Sequence, residues 1–236
     1  MSASAAGYLA SNYRTTGQLA AACGIDAALL ESLVDAGLSP RPSYRVDDGG
    51  TLVSVVFGAF AGTDAAPGAY FHPGTAAWVR RALRARRRLD IDATRRVLHR
   101  GFVRRFAAAL RAIDRDIARL HDYFADDASP LQAALDARCE IAWTHLMDGT
   151  FGLCVTDCAR VAGIARKEML QELLTCRAER TVAARDRAPL IVMIDAYADA
   201  AMPFAPQEYP SSSRRRLVED FGAIVRSTPA TELAGS

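Results

Sequence analysis

Apolar residues recur every three or four positions along most of the chain, a spacing that predicts a mainly α-helical protein. The longest stripe runs from Leu98 to Phe124 and predicts one long helix. Further helices are predicted over residues 75–89, from Ser129-Pro130 to Met147, around Val161–Leu173, over 189–202 and from Ser211–Ser213 onward. Over Gly149–Val155 the pattern predicts only a tight connection, in which Gly149 stops the preceding helix and after which Thr156 or Asp157 caps the next one.

The first quarter of the chain has a different pattern. Thr15 and Gln18 have the spacing of a capping box, and they precede two short helices separated by Gly24. Two β-rich runs, 43–46 and 51–57, flank a turn of aspartates and glycines and predict a β-hairpin. The predicted order is therefore helix, turn, helix, hairpin.

The segment QLAAACGIDAALLESLVDAGLSPRPSYRV resembles the helix-turn-helix head of MerR-like regulators and excisionases. The resemblance implies a winged helix-turn-helix domain and contact with DNA. However, the second helix carries Asp26, Glu31 and Asp35 and no basic residue, whereas a recognition helix needs side chains that bind phosphates and bases. Two interpretations stay open: a DNA-reading head, and a winged helix with a structural or partner-docking role.

Residues 59–73 are rich in glycine, alanine and proline, which is typical of a linker. We therefore predict a winged helix-turn-helix-like domain at 1–58, a linker at 59–74, an all-α helical bundle domain at 75–228 and a disordered tail at 229–236. No apolar run approaches the length of a membrane span, and the N-terminus lacks the pattern of a signal peptide. A cytoplasmic protein without a membrane partner is expected.

The uneven distribution of charge along the chain indicates a candidate binding surface. The chain has a net charge of +2, yet residues 78–119 contain fourteen arginines against four aspartates. Five of the arginines share one face of the long helix, namely Arg96, Arg100, Arg104, Arg111 and Arg115. They favour binding of a nucleic acid, a phosphate-bearing ligand or an acidic partner protein; the alternative is a solvated helix face. A partner protein or a homodimer is kept open for the chain as a whole.

The stretch Trp143–Glu168 concentrates reactive residue types around its glycines. One hypothesis makes Cys154 a nucleophile, with His145 as its base and Asp148 orienting the base. The alternative is a buried packing cysteine and a structural histidine at a helix end. Lys167, the only lysine, is a candidate for imine chemistry if desolvated, and otherwise an ordinary solvated lysine.

Metal and cofactor sites are not predicted. Cys154 and Cys158 form the only short cysteine spacing, whereas a zinc site usually needs two such ligand pairs. The five cysteines are dispersed, so reduced thiols are expected.

Three serines and three arginines, residues 211–216, begin the last predicted helix. Arginines at the positive end of a helix dipole are unfavourable unless an anion is present. Ser212, Ser213, Arg214 and Arg215 are thus candidates for binding phosphate, sulfate or carboxylate. The alternative is pairing within the helix, Arg215 with Glu219 and Arg216 with Asp220.

The combination of WTHLMDGTFGLC, ARKE and FAPQEYPSSSRRRL resembles a bacterial family of unknown function associated with natural-product biosynthesis. That resemblance implies a biosynthetic context and no particular reaction. Two functional hypotheses follow. In the first, the helical domain of a biosynthetic accessory protein or enzyme binds an anionic small molecule or carrier. In the second, the chain is a nucleic-acid-binding regulator that uses its winged head and arginine face.

Overall fold

The structure is a computed structural model that describes residues 4–229. Its N-terminal helices are α1 (Ala5–Asn12), α2 (Thr16–Cys23) and α3 (Ala27–Asp35). The predicted capping box of Thr15 and Gln18 is present at the start of α2, and Gly24 ends that helix with a φ of 71°. Helices α2 and α3 meet at 98°, an angle typical of helix-turn-helix units.

Five short strands form one antiparallel sheet in the order β1-β5-β2-β3-β4. The strands are β1 (Arg14–Thr15), β2 (Tyr44–Val46), β3 (Leu52–Ser54), β4 (Gly58–Phe60) and β5 (Gly68–Phe71). The predicted hairpin corresponds to β2 and β3, in which Tyr44 pairs with Ser54. Strand β5 lies inside the predicted linker of residues 59–74 and pairs with both β1 and β2. The winged helix-turn-helix identity stays a prediction.

Helix α4 (Thr75–Arg86) leads to the long helix α5 (Ile91–Asp116). The prediction that α5 continues to Phe124 is wrong. Asp114 is buried, and its carboxylate accepts a hydrogen bond from the Leu120 amide at 2.7 Å and pairs with Arg119 at 2.9 Å. These bonds turn the chain, so Leu120 and Phe124 reach the core from a loop rather than from a helix.

The central helices are α6 (Gln132–Met147), α7 (Thr150–Cys154) and α8 (Val161–Ala178). Gly149 follows α6 with a φ of 95°, as predicted. The predicted tight connection is instead the short helix α7, and α8 begins after Arg160 rather than at Thr156 or Asp157. Gly149 allows the start of α7 to approach the segment that precedes β2, because a Cβ on Gly149 would lie 2.7 Å from the Pro42 carbonyl oxygen.

The C-terminal elements are α9 (Arg187–Ala200), a π-helical turn (Arg215–Asp220) and α10 (Phe221–Ser227). The expected helix start at Ser211–Ser213 is confirmed, because helical structure begins at Ser213 and the Ser212 hydroxyl accepts from the Arg215 amide. The helix then continues as the π-helical turn rather than as a regular α-helix. Most of the predicted tail, 229–236, lies outside the described residues. None of the helices within residues 4–229 is long and apolar enough to span a membrane alone, although the bent pair α2 and α3 meets the length and composition criteria together.

One apolar core contains residues from the sheet and from the helices that follow it, among them Tyr44, Phe102, Phe106 and Phe151. A second cluster joins α8, α9, the π-helical turn and α10. The buried Glu208 carboxylate binds Tyr44 at 2.5 Å and Ser54 at 2.6 Å, which ties the loop before the π-helical turn to the sheet. These contacts hold the C-terminal segment against the central helices.

Candidate functional site

A cavity of about 480 Å³ lies between the central stretch Trp143–Glu168 and the segment Ser211–Arg216. We call it the central cavity. Its volume falls within the range of about 300–1,000 Å³ that is common for small-molecule sites. The polar or ionisable side chains that line it include His145, Cys154, Lys167, Glu168, Gln171 and Arg216. The two stretches that the sequence singles out thus face the same space.

An aromatic wall forms the apolar part of the central cavity. It contains Phe57, Phe151 and Phe204, and the rings of Phe57 and Phe204 meet edge to face at 5.7 Å. Phe204 has a φ of 64°, a left-handed conformation that is unfavourable for a bulky residue. Strain of this kind is concentrated at functional sites, so the conformation of Phe204 is consistent with a binding wall.

Lys167 is buried, with only 2 % of its surface exposed. The interpretation of a solvated lysine is therefore wrong. Its ammonium donates to Glu168 at 3.0 Å and to Gln171 at 2.6 Å. Burial opposes the charge, but the neighbouring Cys154, Glu168 and Tyr197 outweigh it and raise the pKa of Lys167 above its ordinary value. Lys167 is therefore a charged group on the wall of the cavity.

The charge of Lys167 is supported by a second layer of contacts. Arg138, from α6, donates to Glu168 at 3.1 Å and to Glu172 at 2.6 Å. Burial opposes ionisation of Glu168, yet Lys167 and Arg138 hold its pKa below the ordinary value. The result is a buried network of alternating charges behind the cavity.

Hydrogen bonds also connect α8 to the serine-rich segment. The Gln171 carbonyl accepts from the Tyr197 hydroxyl at 3.3 Å, and that hydroxyl contacts Ser213 Oγ at 2.7 Å. Ser212 is buried; its hydroxyl donates to the Tyr209 carbonyl at 2.8 Å and accepts from the Arg215 amide at 3.1 Å. Both predicted serines therefore line the central cavity, but they already have protein partners.

The three arginines of the segment point to different partners. Arg214 donates to the carbonyls of Ala198 and Ala201 at the end of α9, and Arg215 pairs with Glu219 and Asp220. Only Arg216, which was not among the anion-site candidates, lines the central cavity. The cation that the sequence placed at Arg214 or Arg215 is thus supplied in the cavity by Arg216.

The proposed nucleophile and base are near each other but are not connected. His145 lies in the last turn of α6, with its ring 5.7 Å from that of Phe151. The Cys154 thiol donates to the Thr150 carbonyl at 3.1 Å, and burial raises its pKa despite the attraction of Lys167. Asp148 accepts from the Thr150 amide at 2.9 Å. Among the described residues no hydrogen bond joins Cys154, His145 and Asp148 as a catalytic triad.

A second buried pair, His72 with Cys158, was missed by the sequence analysis. Cys158 Sγ lies 3.0 Å from His72 Nδ1, which also accepts the Gly74 amide at 2.9 Å. Burial lowers the pKa of His72 to about 4 and raises that of Cys158. Both groups are therefore neutral near pH 7. No local signal could have found a pair whose members are 86 positions apart.

The five arginines of the predicted α5 face, Arg96, Arg100, Arg104, Arg111 and Arg115, are all exposed. Arg115 pairs with Asp116, and Arg111 lies 5.9 Å from the Phe124 ring centroid. On α3 the residues Asp26, Glu31 and Asp35 are likewise exposed. The described part of the chain contains no group of three or more residues placed to hold a metal ion.

Most residues that line the central cavity lie in a region that matches a known protein family. Searches of curated proteins and of solved structures found no match. Residues 98–226, which include most of the cavity wall and more than half of the chain, match a family of unknown function, DUF6058. The chain therefore belongs to the DUF6058 family.

Proposed function

We propose that this protein binds an amphipathic small molecule with one anionic group in its central cavity, as an accessory protein or enzyme of natural-product biosynthesis. The observation that carries the proposal is the buried ammonium of Lys167 on the cavity wall. An ammonium has three donors, and two of them are bound to Glu168 and Gln171. The third faces the Cys154 side chain, which also lines the cavity, so an anionic ligand would compete with a thiol for it.

The charges around the central cavity favour an anion. Lys167 and Arg216 are positive, whereas Glu168 is the only acidic residue among the described lining residues. Together these three residues carry one net positive charge. The aromatic wall of Phe57, Phe151 and Phe204 suits the apolar body of the same ligand. The biosynthetic role rests on the resemblance of the WTHLMDGTFGLC and FAPQEYPSSSRRRL segments.

Isothermal titration calorimetry with sodium octanoate, and with octanol as the neutral counterpart, tests this proposal. Octanoate should bind more tightly than octanol. Replacing Arg216→Gln or Lys167→Met should weaken octanoate binding about tenfold, the effect of losing one charge-assisted hydrogen bond. Arg180→Gln, an exposed residue outside the cavity, is the matched control. Equal affinities for octanoate and octanol would contradict the proposal.

A second candidate function is nucleic-acid binding by the exposed face of α5. Arg96, Arg100 and Arg104 make no ion pair within residues 4–229, so their charges are available. Binding of a labelled DNA duplex should then weaken steeply with salt, by about 0.9 logarithmic units per phosphate contact. Replacing Arg100, Arg104, Arg111 and Arg115 by glutamine should reduce that slope. Absence of binding at low salt would exclude this function.

A further inference from the structure

A second concave surface, separate from the central cavity, lies between α4 and α5 and has a volume of about 310 Å³. We call it the α4–α5 groove. Three arginines line it: Arg81 and Arg84 from α4, and Arg105 from α5. The remaining lining is apolar and includes Trp78, Val97 and Leu98, and no aspartate or glutamate is among the described lining residues. The groove therefore concentrates positive charge with no compensating carboxylate.

Packing holds Arg81 in place. Its guanidinium carbon lies 4.4 Å from the centroid of the Trp78 ring, a distance typical of a cation–π contact. Its Nη2 donates to the Ala159 carbonyl at 3.1 Å. Trp78 is itself fixed, since its indole nitrogen donates to the Cys158 carbonyl at 2.9 Å. The guanidinium is thus preorganised on a rigid wall.

One nitrogen of Arg81 distinguishes this groove from a solvated arginine patch. Nη1 is shielded from solvent and has no hydrogen-bond partner among the described residues. Exposed arginines can bind water, but a shielded N–H group without an acceptor is rare in folded proteins. Burial lowers the pKa of Arg81, and repulsion by Arg105 and Arg84 adds to the effect. Arg84 and Arg105 are therefore close enough to Arg81 to repel its charge.

We infer that the α4–α5 groove binds a phosphate group that carries at least two negative charges. Arginine forks bind phosphate oxygens through parallel hydrogen bonds. A phosphate dianion or a diphosphate would offset the repulsion that Arg84 and Arg105 exert on Arg81, whereas one carboxylate would neutralise only one of the three cations. The proposed ligand of the central cavity carries a single negative charge, so the two sites differ in ligand as well as in place.

Inorganic pyrophosphate is the probe, titrated calorimetrically at low ionic strength against matched sodium chloride. Arg84→Gln and Arg105→Gln should each weaken pyrophosphate binding about tenfold, the effect of losing one charge-assisted contact. Arg88→Gln, an exposed arginine beyond the end of α4, is the matched control and should bind like the wild type. Undetectable binding to the wild type, or unchanged binding to the Arg84→Gln/Arg105→Gln variant, would overturn the inference.

Thermal unfolding without pyrophosphate separates a ligand site from a packing role. Because the two replacements relieve repulsion, the double variant should melt at the wild-type temperature or above it. A lower melting temperature would show that these arginines hold α4 against α5, and would overturn the inference. These measurements are independent of octanoate binding, so a failure at one site is distinguishable from a failure at the other.

Competition between pyrophosphate and a short DNA duplex identifies the source of the phosphate. If the duplex binds, needs Arg84 and Arg105, and is displaced by pyrophosphate, the groove holds a phosphodiester backbone. Each phosphate of that backbone carries one negative charge, so this result would overturn the inference of a doubly charged group. If pyrophosphate binds and the duplex does not, the natural ligand is a free phosphorylated molecule. Only the second result supports the inferred site, and pyrophosphate binding that is insensitive to Arg84 and Arg105 opposes it.

Discussion

Cations near the central cavity are paired with acceptors, whereas the cations of the α4–α5 groove lie together without a carboxylate. Near the cavity, Lys167 pairs with Glu168, and Arg214 binds carbonyls at the end of α9. In the groove, Arg81, Arg84 and Arg105 converge without a carboxylate. A run of arginines in a sequence therefore shows where positive charge lies, but not whether that charge is free to bind a ligand. Availability depends on acceptors that come from distant parts of the chain.

The largest loss of stability is expected from removing the carboxylate that pairs with the cations near the central cavity. Glu168→Gln removes the carboxylate that lies between Lys167 and Arg138, and leaves buried cations without their partner. The free energy of unfolding in urea should fall by about 4 kcal/mol at pH 7. Glu179→Gln, at an exposed acid at the end of the same helix, is the control. Similar losses for both variants would show that the buried pair is not needed.

Buried His72 extends the comparison to a group that stays neutral. Its pKa falls from 6.5 to about 4 through burial. The unfolded chain therefore binds a proton between these pH values that the folded state excludes, so stability decreases as the pH falls through this window. The expected loss between pH 6.5 and pH 4 is about 3 kcal/mol.

The variant His72→Asn measures this contribution. Asparagine keeps an acceptor for the Gly74 amide and does not titrate, so the stability curve should become flatter by the same amount. His121→Asn is the control, because the His121 side chain is 67 % exposed. An unchanged slope in His72→Asn would assign the pH dependence to other groups.

A smaller difference in stability is expected between variants at Arg214 and at Arg215. Arg214→Met leaves the carbonyls of Ala198 and Ala201 without their donor and should lower the free energy of unfolding by about 2 kcal/mol. Arg215→Met breaks only exposed ion pairs with Glu219 and Asp220 and should cost less than about 1 kcal/mol. Chemical denaturation of both variants tests the difference, and equal losses would contradict it.

The smallest effect is expected on the exposed face of α5. Arg104→Gln should change the free energy of unfolding by less than about 0.5 kcal/mol, as for surface sites without partners. Arg119→Gln provides the contrast, because Arg119 pairs with the buried Asp114 at 2.9 Å. If Arg104→Gln is as destabilising as Arg119→Gln, the α5 arginines have structural rather than binding roles.

Local signals in the sequence predicted local structure well. The Thr15–Gln18 capping box, the helix ends at Gly24 and Gly149 and the pairing of β2 with β3 depend on residues a few positions apart. The long apolar stripe failed at Asp116, because Asp114 binds the backbone of Leu120 and turns the chain. The spacing of apolar residues carries no information about a buried carboxylate such as Asp114.

Predictions about the candidate site located the chain segments that line the cavity better than the individual side chains. Sequence analysis picked out Trp143–Glu168 and Ser211–Arg216, and both line the central cavity. It left open whether Lys167 is desolvated or solvated, which the fold decides by burying it. It chose Arg214 and Arg215 where the fold presents Arg216. Side-chain direction at the π-helical turn could not be derived from an ideal helix, because a π-helix rotates successive residues by a different angle.

The sequence by itself determined the mainly helical architecture, the helix ends at Gly24 and Gly149 and the concentration of arginine between residues 78 and 119, because these depend on residue type and short-range spacing. Only the tertiary structure decided which charges are paired. Glu168 and Arg138 surround Lys167, His72 meets Cys158, and Arg81 meets Arg105 without an acid. These contacts join residues far apart in the chain, and burial sets their energies, so no local pattern contains them.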